Sequence, residues 1–351
     1  MRFLFSVASA AAVLAATPLV RAFASFAGTN SYYIAALPQN ERLALLQSMK
    51  NADMKVLRTF VQGVSAGAKN SSNGDLPDLE PNAIGEYDDT ILNAIDQLMV
   101  EAHDYGIKLL ICVYDKNVLA SHGPYHDTYG EEGFYTSDDA RYNFNQRITY
   151  MLNGHKNALL DNKPWSTLGD YIFGFGVMNE PMINQGPDFF KGHLDWVCQT
   201  AMQIRGNVGN PNQLIFSGGN SAATSVQSAF FSSDCPVDVV EIHDYTDAYD
   251  QYLPDAISQA QAAGKKLIVG EWGSLYGSGR DANLRDNMQK LNRYGVPWLY
   301  WEFITNDDPH WGEDYEINVI GETDADYQTV KGFAQAALAL TDAPFDFSAS
   351  L

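Results

Sequence analysis

The sequence predicts one α/β domain folded as an eight-stranded (β/α)8 barrel, and two features indicate this class. Eight short apolar runs follow one another along the chain, and amphipathic helical patterns separate them. Most runs are continuous rather than alternating, which is typical of parallel strands buried on both faces. The eight predicted strands are residues 32–36, 56–60, 108–114, 171–178, 213–217, 239–243, 267–271 and 298–301.

The helical segments repeat one unit, in which an apolar stripe at helical spacing is followed by a glycine and then by an apolar run. The clearest cases are residues 90–105, 255–263 and 283–294, which are followed by Gly106, Gly264 and Gly295. This unit is the helix-to-strand half of a β/α repeat, and eight strands with intervening helices close naturally into a barrel.

Two connections that follow predicted strands are unusually long. Residues 62–87 are rich in Gly, Asn, Ser and Pro, and residues 115–139 are rich in Gly, Tyr, His and Asp. We expect both to rise at the C-terminal face of the barrel and to wall a groove there. A disordered insertion is the alternative, above all for the first. Asn70 begins an Asn-Ser-Ser sequon in that loop and is a candidate glycosylation site.

The N-terminus resembles an export signal. Arg2 precedes an apolar stretch over residues 4–14, and small residues follow near residue 22. We therefore expect a signal peptide over residues 1–22, one barrel domain over residues 23–351, and a secreted, extracellular protein. A membrane anchor is the alternative, but the apolar stretch is too short to span a bilayer.

The net charge of −21 excludes nucleic acid and anionic membranes as expected partners, because their phosphates would be repelled. A soluble surface adapted to an acidic medium would explain the charge equally well. We favour a neutral ligand, such as an uncharged polysaccharide, and we expect a monomer.

The chain has three cysteines, so at least one is unpaired. Cys112 lies inside an apolar run and is predicted to be a buried, free thiol, whereas Cys198 and Cys235 are expected to form a disulfide. His122 and His126 are four residues apart, but a Gly-Pro pair between them indicates a loop. The cysteines and histidines do not have the spacing of a zinc site, and we expect neither a metal nor a cofactor.

Two glutamates each close an apolar run, Glu180 within Met178-Asn179-Glu180-Pro181 and Glu271 within Gly270-Glu271-Trp272. Barrel enzymes place their chemistry at the C-terminal ends of the strands. Two carboxylates there are the minimum for cleaving a glycosidic bond, one as acid and one as nucleophile or base. A single glutamate in this position would more simply be salt-bridged or solvated, but two together favour chemistry.

Other predicted strand ends carry polar and aromatic residues. Arg58 can hold a nucleophilic carboxylate ionised and oriented. His243 and Tyr245 are two residues apart, so an extended chain directs both side chains to the same side. Trp301 is a candidate platform for a sugar ring. Packing would explain each residue alone, but their occurrence together at strand ends favours one site.

In this order, Arg58, Asn179-Glu180-Pro181, His243-Asp244-Tyr245, Gly270-Glu271-Trp272 and Trp301 resemble the signature of glycoside hydrolase family 5, in the clan of retaining (β/α)8 glycosidases. Residues 26–33 and 134–137 resemble its β-mannanase branch. The chain departs from the family in two places. Asp115 and Lys116 stand where many members carry His-Asn or a similar pair, and Met182 stands where mannanases often carry Arg.

The resemblance implies a role for each matched residue. Glu180 is expected to be the general acid/base, kept protonated by burial and neighbouring negative charge, and Glu271 the nucleophile. Asn179 is expected to bind the sugar 2-hydroxyl. Arg58 and Tyr245 are expected to keep Glu271 ionised, and His243 to contact the substrate or the acid.

The expected sugar-binding residues are mostly aromatic side chains near the last two strands. They are Trp272, Trp301 and Trp311, with Asn117 as a polar candidate. The remaining tryptophans are expected to pack in the core: Trp165, Trp196 and Trp298.

The leading functional hypothesis is a secreted endo-β-1,4-mannanase. An endo- or exo-β-glucanase of the same family is the closest alternative. A catalytically inactive barrel that binds polysaccharide is less consistent with two retained carboxylates. A structural wall protein would explain the export signal but not the cluster of strand-end residues.

Overall fold

The computed structural model describes residues 25–307, 310 and 313–351. The predicted signal peptide and the predicted sugar contact Trp311 lie outside these described residues. Within the described ranges, we find no helix that is both long and apolar enough to cross a lipid bilayer.

Eight parallel strands form a closed barrel in chain order, with the eighth strand paired to the first, and this confirms the predicted fold class. A separate two-stranded pair follows the barrel. The strands are β1 Ala27–Asn30, β2 Val56–Phe60, β3 Lys108–Cys112, β4 Ile172–Gly176, β5 Leu214–Phe216, β6 Val239–His243, β7 Lys266–Trp272, β8 Trp298–Tyr300, β9 Phe303–Ile304 and β10 Ile317–Asn318.

The longer α-helices between strands cover the outside of the barrel. The α-helices are α1 Gln39–Asn51, α2 Thr90–Asp104, α3 Lys116–Ala120, α4 Pro124–Thr136, α5 Asp138–Thr149, α6 Pro187–Gly192, α7 Leu194–Asn207, α8 Tyr249–Ala262, α9 Arg280–Tyr294 and α10 Ala325–Leu338. Of these, α3, α4 and α6 lie in connections that follow strands. The three predicted helices correspond to α2, α8 and α9, and the last two begin earlier than expected.

The first strand was predicted wrongly. Residues 32–36 do not form a strand, because Ile34–Ala36 is a short 3-10 helix, and β1 lies earlier in the chain. The small residues of β1 hide it from a search for apolar runs. Gly28 is required there, since a Cβ atom at this position would lie 2.0 Å from the carbonyl oxygen of Val56 on the neighbouring strand.

The two long connections are ordered walls at the C-terminal face. Residues 62–87 are held by Arg147 of α5, which is fully buried and donates to Asp78 at 2.8 Å and to Glu80 at 3.0 Å. A disordered insertion is therefore the wrong description of this segment. Asn70, the candidate glycosylation site, is exposed at the end of a 3-10 turn in the same segment.

The second connection contains α3 and α4, so residues 115–139 are largely helical. His126 lies in the first turn of α4 rather than in a loop, which corrects the sequence interpretation. The Gly-Pro pair that argued against a helix in fact begins one, because proline is well tolerated in the first turn.

The cysteine predictions and the predicted packing of three tryptophans are confirmed. Cys198 and Cys235 form a disulfide that joins α7 to the segment before β6, while Cys112 is buried and free. The three tryptophans expected in the core are buried: Trp165, Trp196 and Trp298.

Candidate active site

The C-terminal ends of β2, β4, β6 and β7 bring four predicted site residues together. One carboxylate oxygen of Glu180, one of Glu271 and one ring nitrogen of His243 lie within 4.8 Å of one another. The Arg58 guanidinium lies beside them and forms an ion pair with Glu271. Residues that are far apart in sequence therefore share one site at the face where barrel enzymes react.

Glu271 is buried and receives a hydrogen bond at each of its two carboxylate oxygens. Arg58 Nη1 donates to Oε1 at 2.6 Å, and the Tyr245 hydroxyl donates to Oε2 at 3.0 Å. Burial raises the pKa of Glu271 above its ordinary value, against the opposing effect of His243 and Arg58. The two donors favour and orient the carboxylate form that a nucleophile requires.

Arg58 organises more of the site than the sequence analysis anticipated. Its side chain is fully buried, and its Nη2 donates to Asn179 Oδ1 at 2.8 Å. Its Nη1 also donates to Asn30 Oδ1 at 3.2 Å, and its Nε forms an ion pair with Glu241 at 2.7 Å. One guanidinium thus fixes Glu271 and Asn179 in a common geometry.

Glu241 is a site residue that the sequence analysis missed. It is completely buried on β6, two residues before His243, and its Oε1 lies 3.5 Å from His243 Nε2. The alternation Glu241, His243, Tyr245 along one strand face was the available signal. Gly270 makes room for it, since a Cβ atom there would lie 2.2 Å from Glu241 Oε1.

Glu180 adopts a strained backbone conformation. Its φ of 47° lies in the left-handed region, which costs a non-glycine residue about 1–3 kcal/mol. Its amide donates to the carbonyl oxygen of Gly218 at 2.9 Å. Two residues later, the amide of Met182 donates to the hydroxyl of Tyr135 at 3.1 Å. These contacts hold the turn that directs the Glu180 side chain towards the site.

Two cations face the carboxylate of Glu180. His243 Nδ1 lies 3.0 Å from Oε1, and Lys116 Nζ lies 3.4 Å from Oε2. Burial raises the pKa of Glu180, but the hydrogen bond and charge of His243, with Lys116 and Arg58, outweigh it and lower the pKa to about 2. The expectation that Glu180 is protonated is therefore wrong for the unliganded site.

The pKa of His243 moves in the opposite direction, which favours a proton on its imidazole. Burial lowers the pKa of His243, but the charge of Glu271 and the hydrogen bonds with Glu180 and Glu241 raise it to about 9. Transfer of one proton along the 3.0 Å contact converts the Glu180 carboxylate and His243 imidazolium into carboxylic acid and neutral imidazole. The pair therefore holds the proton that a general acid needs, on the neighbouring side chain.

The turn after β3 supports Asn179. Asn179 Nδ2 donates to Asp115 Oδ1 at 3.1 Å, and the backbone amide of Asn117 donates to the same oxygen at 3.0 Å. Asn117 itself is exposed at the edge of the site, where it was predicted to contact substrate. The anchoring role of Asp115 was missed because it depends on a contact between two strand ends.

Trp301 is half-buried at the site, as a sugar platform requires. Its ring is stacked parallel to that of Tyr32, with centroids 6.2 Å apart, and the ring of Phe60 meets it edge-on at 6.1 Å. These neighbours fix the orientation of the indole plane.

Trp272 was predicted wrongly as a sugar contact. It is fully buried, and its ring packs edge-on against Trp298 at 5.5 Å and Tyr300 at 5.0 Å. The physical reason is that β7 continues through Trp272. Because successive side chains of a strand point to opposite faces, Glu271 faces the site and Trp272 faces the barrel wall.

Two groups among the described side chains have metal-ligating atoms within 4.8 Å of one another. The first consists of Glu180, His243 and Glu271, in which the Glu271 carboxylate already pairs with Arg58 and the Glu180 carboxylate with His243. The second is an exposed group around α4 that the sequence spacing did not indicate: His122, His126 and Asp127.

Comparison with known proteins identifies the family. The protein-family model described as cellulase (glycosyl hydrolase family 5) matches residues 21–307 of the sequence. The chain belongs to glycosyl hydrolase family 5. The resemblance drawn from the sequence motifs is thereby confirmed, and the match covers most of the barrel of this family 5 hydrolase.

Solved structures with the same fold include several mannan-degrading enzymes. The endo-1,4-β-mannanase from Rhizomucor miehei is 19% identical, with a TM-score of 0.66, covering 93% of this chain and 96% of that one. The endo-1,4-β-D-mannanase from Thermotoga petrophila is 16% identical, with a TM-score of 0.65, covering 89% of this chain and 99% of that one. At these identities the likeness establishes the fold.

The curated relatives are named endoglucanases and not mannanases. Endoglucanase N from Pectobacterium atrosepticum is 29% identical over 132 residues, which is 36% of this family 5 hydrolase and 29% of that protein. Endoglucanase 5 from Pectobacterium carotovorum subsp. carotovorum is also 29% identical over 132 residues, or 25% of its length. The matched segment thus spans less than a third of either relative.

Proposed function

We propose that this family 5 hydrolase cleaves β-linked polysaccharide with retention of anomeric configuration, by double displacement. The observation that carries the proposal is the close approach of the two glutamates, whose oxygens lie within 4.8 Å. Retaining glycosidases hold their carboxyl groups about 5–5.5 Å apart, whereas inverting enzymes separate them by about 6.5–9.5 Å to admit a water molecule.

In the first step, Glu271 attacks the anomeric carbon and forms a glycosyl ester. The bond from this carbon to the leaving oxygen breaks, and Glu180 delivers a proton to that oxygen. The proton comes from the Glu180–His243 pair, across their 3.0 Å contact. Arg58 and Tyr245 keep the attacking carboxylate ionised and aligned until the ester forms.

In the second step, Glu180 accepts a proton from a water molecule that attacks the same carbon. The ester bond to Glu271 breaks, and the hydrolysed sugar leaves with its original configuration. Asn179 would bind the 2-hydroxyl, a contact that strengthens as positive charge develops on the ring. Its own position is fixed by Arg58 and Asp115.

The stereochemistry is tested by following the first product by proton NMR. A β-linked substrate should give the β-anomer first, and it should then equilibrate with the α-anomer. Initial release of the α-anomer would indicate inversion and would overturn the proposed mechanism.

We propose that the substrate is β-1,4-mannan and that the enzyme cleaves it internally, as an endo-β-1,4-mannanase. The mannan-degrading structures of the same fold support this, as does the resemblance of residues 26–33 and 134–137 to mannanases. Tyr135, inside the second segment, supports the backbone beside Glu180. A β-glucanase is the second candidate, because the curated relatives are named endoglucanases.

The substrate is tested by comparing hydrolysis of mannan, glucomannan, cellulose and β-1,3-glucan. Mannan should give the highest kcat/KM, with products of mixed length as expected for internal cleavage. Activity on cellulose or β-1,3-glucan without activity on mannan would reject the mannanase assignment and keep the glycosidase one. Binding of glycan without hydrolysis of any substrate would favour the inactive barrel.

We also propose that the protein is exported. The basic and apolar pattern of residues 1–22 supports this, and so does a disulfide between Cys198 and Cys235, since such bonds persist in oxidising compartments. N-terminal sequencing of the protein recovered from culture medium tests it, and a mature chain that begins near residue 23 is the expected result. Retention in the cells with residue 1 intact would contradict export.

A further inference from the structure

A concave surface lies beside the nucleophile, among the segments that follow β7 and β8. Its volume is about 300 Å³, and its lining includes Tyr245, Leu275, Tyr276, Arg280 and Tyr315. We call it the β7 pocket. Tyr245 belongs both to this pocket and to the active site, because its hydroxyl donates to Glu271 at 3.0 Å. The pocket and the reacting centre therefore share Tyr245 as a wall residue.

The rim of the β7 pocket exposes two adjacent large apolar side chains. Leu275 is 53% exposed and Tyr276 is 58% exposed. Tyr276 is nevertheless held in place, because its ring stacks on His310 with centroids 3.7 Å apart and its amide donates to the Asp314 carbonyl at 2.8 Å. Fixed apolar side chains that remain exposed beside a catalytic centre are typical of a ligand-binding surface.

The inner part of the pocket combines an aromatic ring with polar groups. The Tyr315 ring packs against Tyr245 with centroids 4.7 Å apart. Arg280 is buried beneath the rim, where its Nη2 donates to the Tyr315 carbonyl at 2.7 Å. Asn283 adds an amide to the lining. Aromatic faces beside a few fixed polar groups match a sugar ring, which presents apolar C–H faces and hydroxyls at its edge.

We propose that the β7 pocket is a further saccharide subsite, which binds a sugar unit of the polysaccharide away from the bond that is cleaved. This inference rests on the proposed function. Tyr276 and Leu275 would contact the ring, and Tyr315 would connect this subsite to the catalytic centre through Tyr245. Only a chain long enough to reach from the catalytic centre into the pocket would gain this contact.

The test compares Tyr276→Ala and Tyr276→Phe on β-1,4-linked manno- and cello-oligosaccharides of two to six units and on an activated aryl monoglycoside. Tyr276→Ala should lower kcat/KM on the longest active oligosaccharide about tenfold, or about 1.4 kcal/mol, mainly through KM. On the aryl monoglycoside the change should stay within about twofold, because that ligand does not reach the pocket. Tyr276→Phe keeps the ring and should retain most of the activity.

Tyr142→Ala is the matched control, since Tyr142 is 62% exposed on α5, away from the pocket. This variant should leave kcat/KM unchanged on both the oligosaccharides and the aryl monoglycoside. An equal loss on every chain length, or no loss on any, would overturn the subsite. Failure of the unmodified enzyme to cleave every oligosaccharide and the aryl glycoside would instead reject the proposed function, so the two failures are distinguishable.

Discussion

Lys116 should set the pH at which activity is lost on the alkaline side. The charged groups around Glu180 are His243, Arg58, Lys116 and the carboxylates of Glu271 and Asp115. Lys116→Met removes one positive charge and leaves the others. A proton then binds the Glu180–His243 pair more tightly, so a higher pH is needed to remove it.

The contact of 3.4 Å between Lys116 Nζ and Glu180 Oε2 sets an upper limit on the shift, because Glu180 remains ionised when His243 releases the proton. At this separation Coulomb's law gives about 1.2 kcal/mol in water and about 5 kcal/mol at an effective dielectric constant of about 20. His243, which carries the proton, contacts the other carboxylate oxygen of Glu180, so Lys116 acts on that proton only across the carboxylate group and the lower figure applies. Because one pKa unit is about 1.4 kcal/mol, we expect a shift of up to about one unit.

The assay is the pH dependence of kcat/KM for the unmodified enzyme, Lys116→Met and Lys116→Arg. The pKa of His243 is about 9, so the alkaline limb should lie near this value and move towards about 10 in Lys116→Met. Lys116→Arg keeps the charge and should keep the limb in place. Identical profiles for the Met and Arg variants, or a limb that moves to lower pH, would refute the reasoning.

Three further predictions concern the two glutamates, the barrel wall and the disulfide. Glu271→Ala should abolish turnover on every substrate, whereas Glu180→Ala should still form the intermediate from an activated aryl glycoside and respond to azide; the reverse pattern in burst kinetics would exchange the two roles. Trp272→Ala should destabilise the fold by about 3–5 kcal/mol in urea titration, because it leaves a large cavity, and a loss below about 1 kcal/mol would favour a surface role. Replacing Cys198 and Cys235 by Ser should lower the free energy of unfolding by about 2–4 kcal/mol relative to the unmodified, oxidised protein. Under reducing conditions the difference between the two proteins should disappear.

The strands that the sequence revealed are rich in apolar residues, and most of them carry these residues in a continuous run. Seven of the eight barrel strands were recognised in this way, whereas β1 was not. The small residues of β1 allow it to approach β2 closely, as the contact of Gly28 with Val56 shows, and they do not form an apolar run. Steric requirements between neighbouring strands leave little trace in a single sequence.

The site was predictable where its residues occupy strand ends, because a closed parallel barrel brings all such ends to one face. The side of a strand to which a given side chain points was less predictable. The predicted strand ended at Glu271, so Trp272 was treated as a residue beyond the strand, whereas β7 continues through Trp272 and directs its side chain to the face opposite Glu271. Lys116 reaches Glu180 only through the turn into α3, a contact that no local pattern encodes.

The central claim is that Glu271 forms the covalent bond to the sugar, and trapping that bond tests it most directly. A 2-deoxy-2-fluoro glycoside with a good leaving group should inactivate the enzyme and add one sugar mass to the peptide that contains Glu271. Arg58 and Tyr245 donate hydrogen bonds to this carboxylate and orient it, which is the basis of the claim. Label on the peptide that contains Glu180, or stable inactivation of Glu271→Ala by the same reagent, would contradict the account.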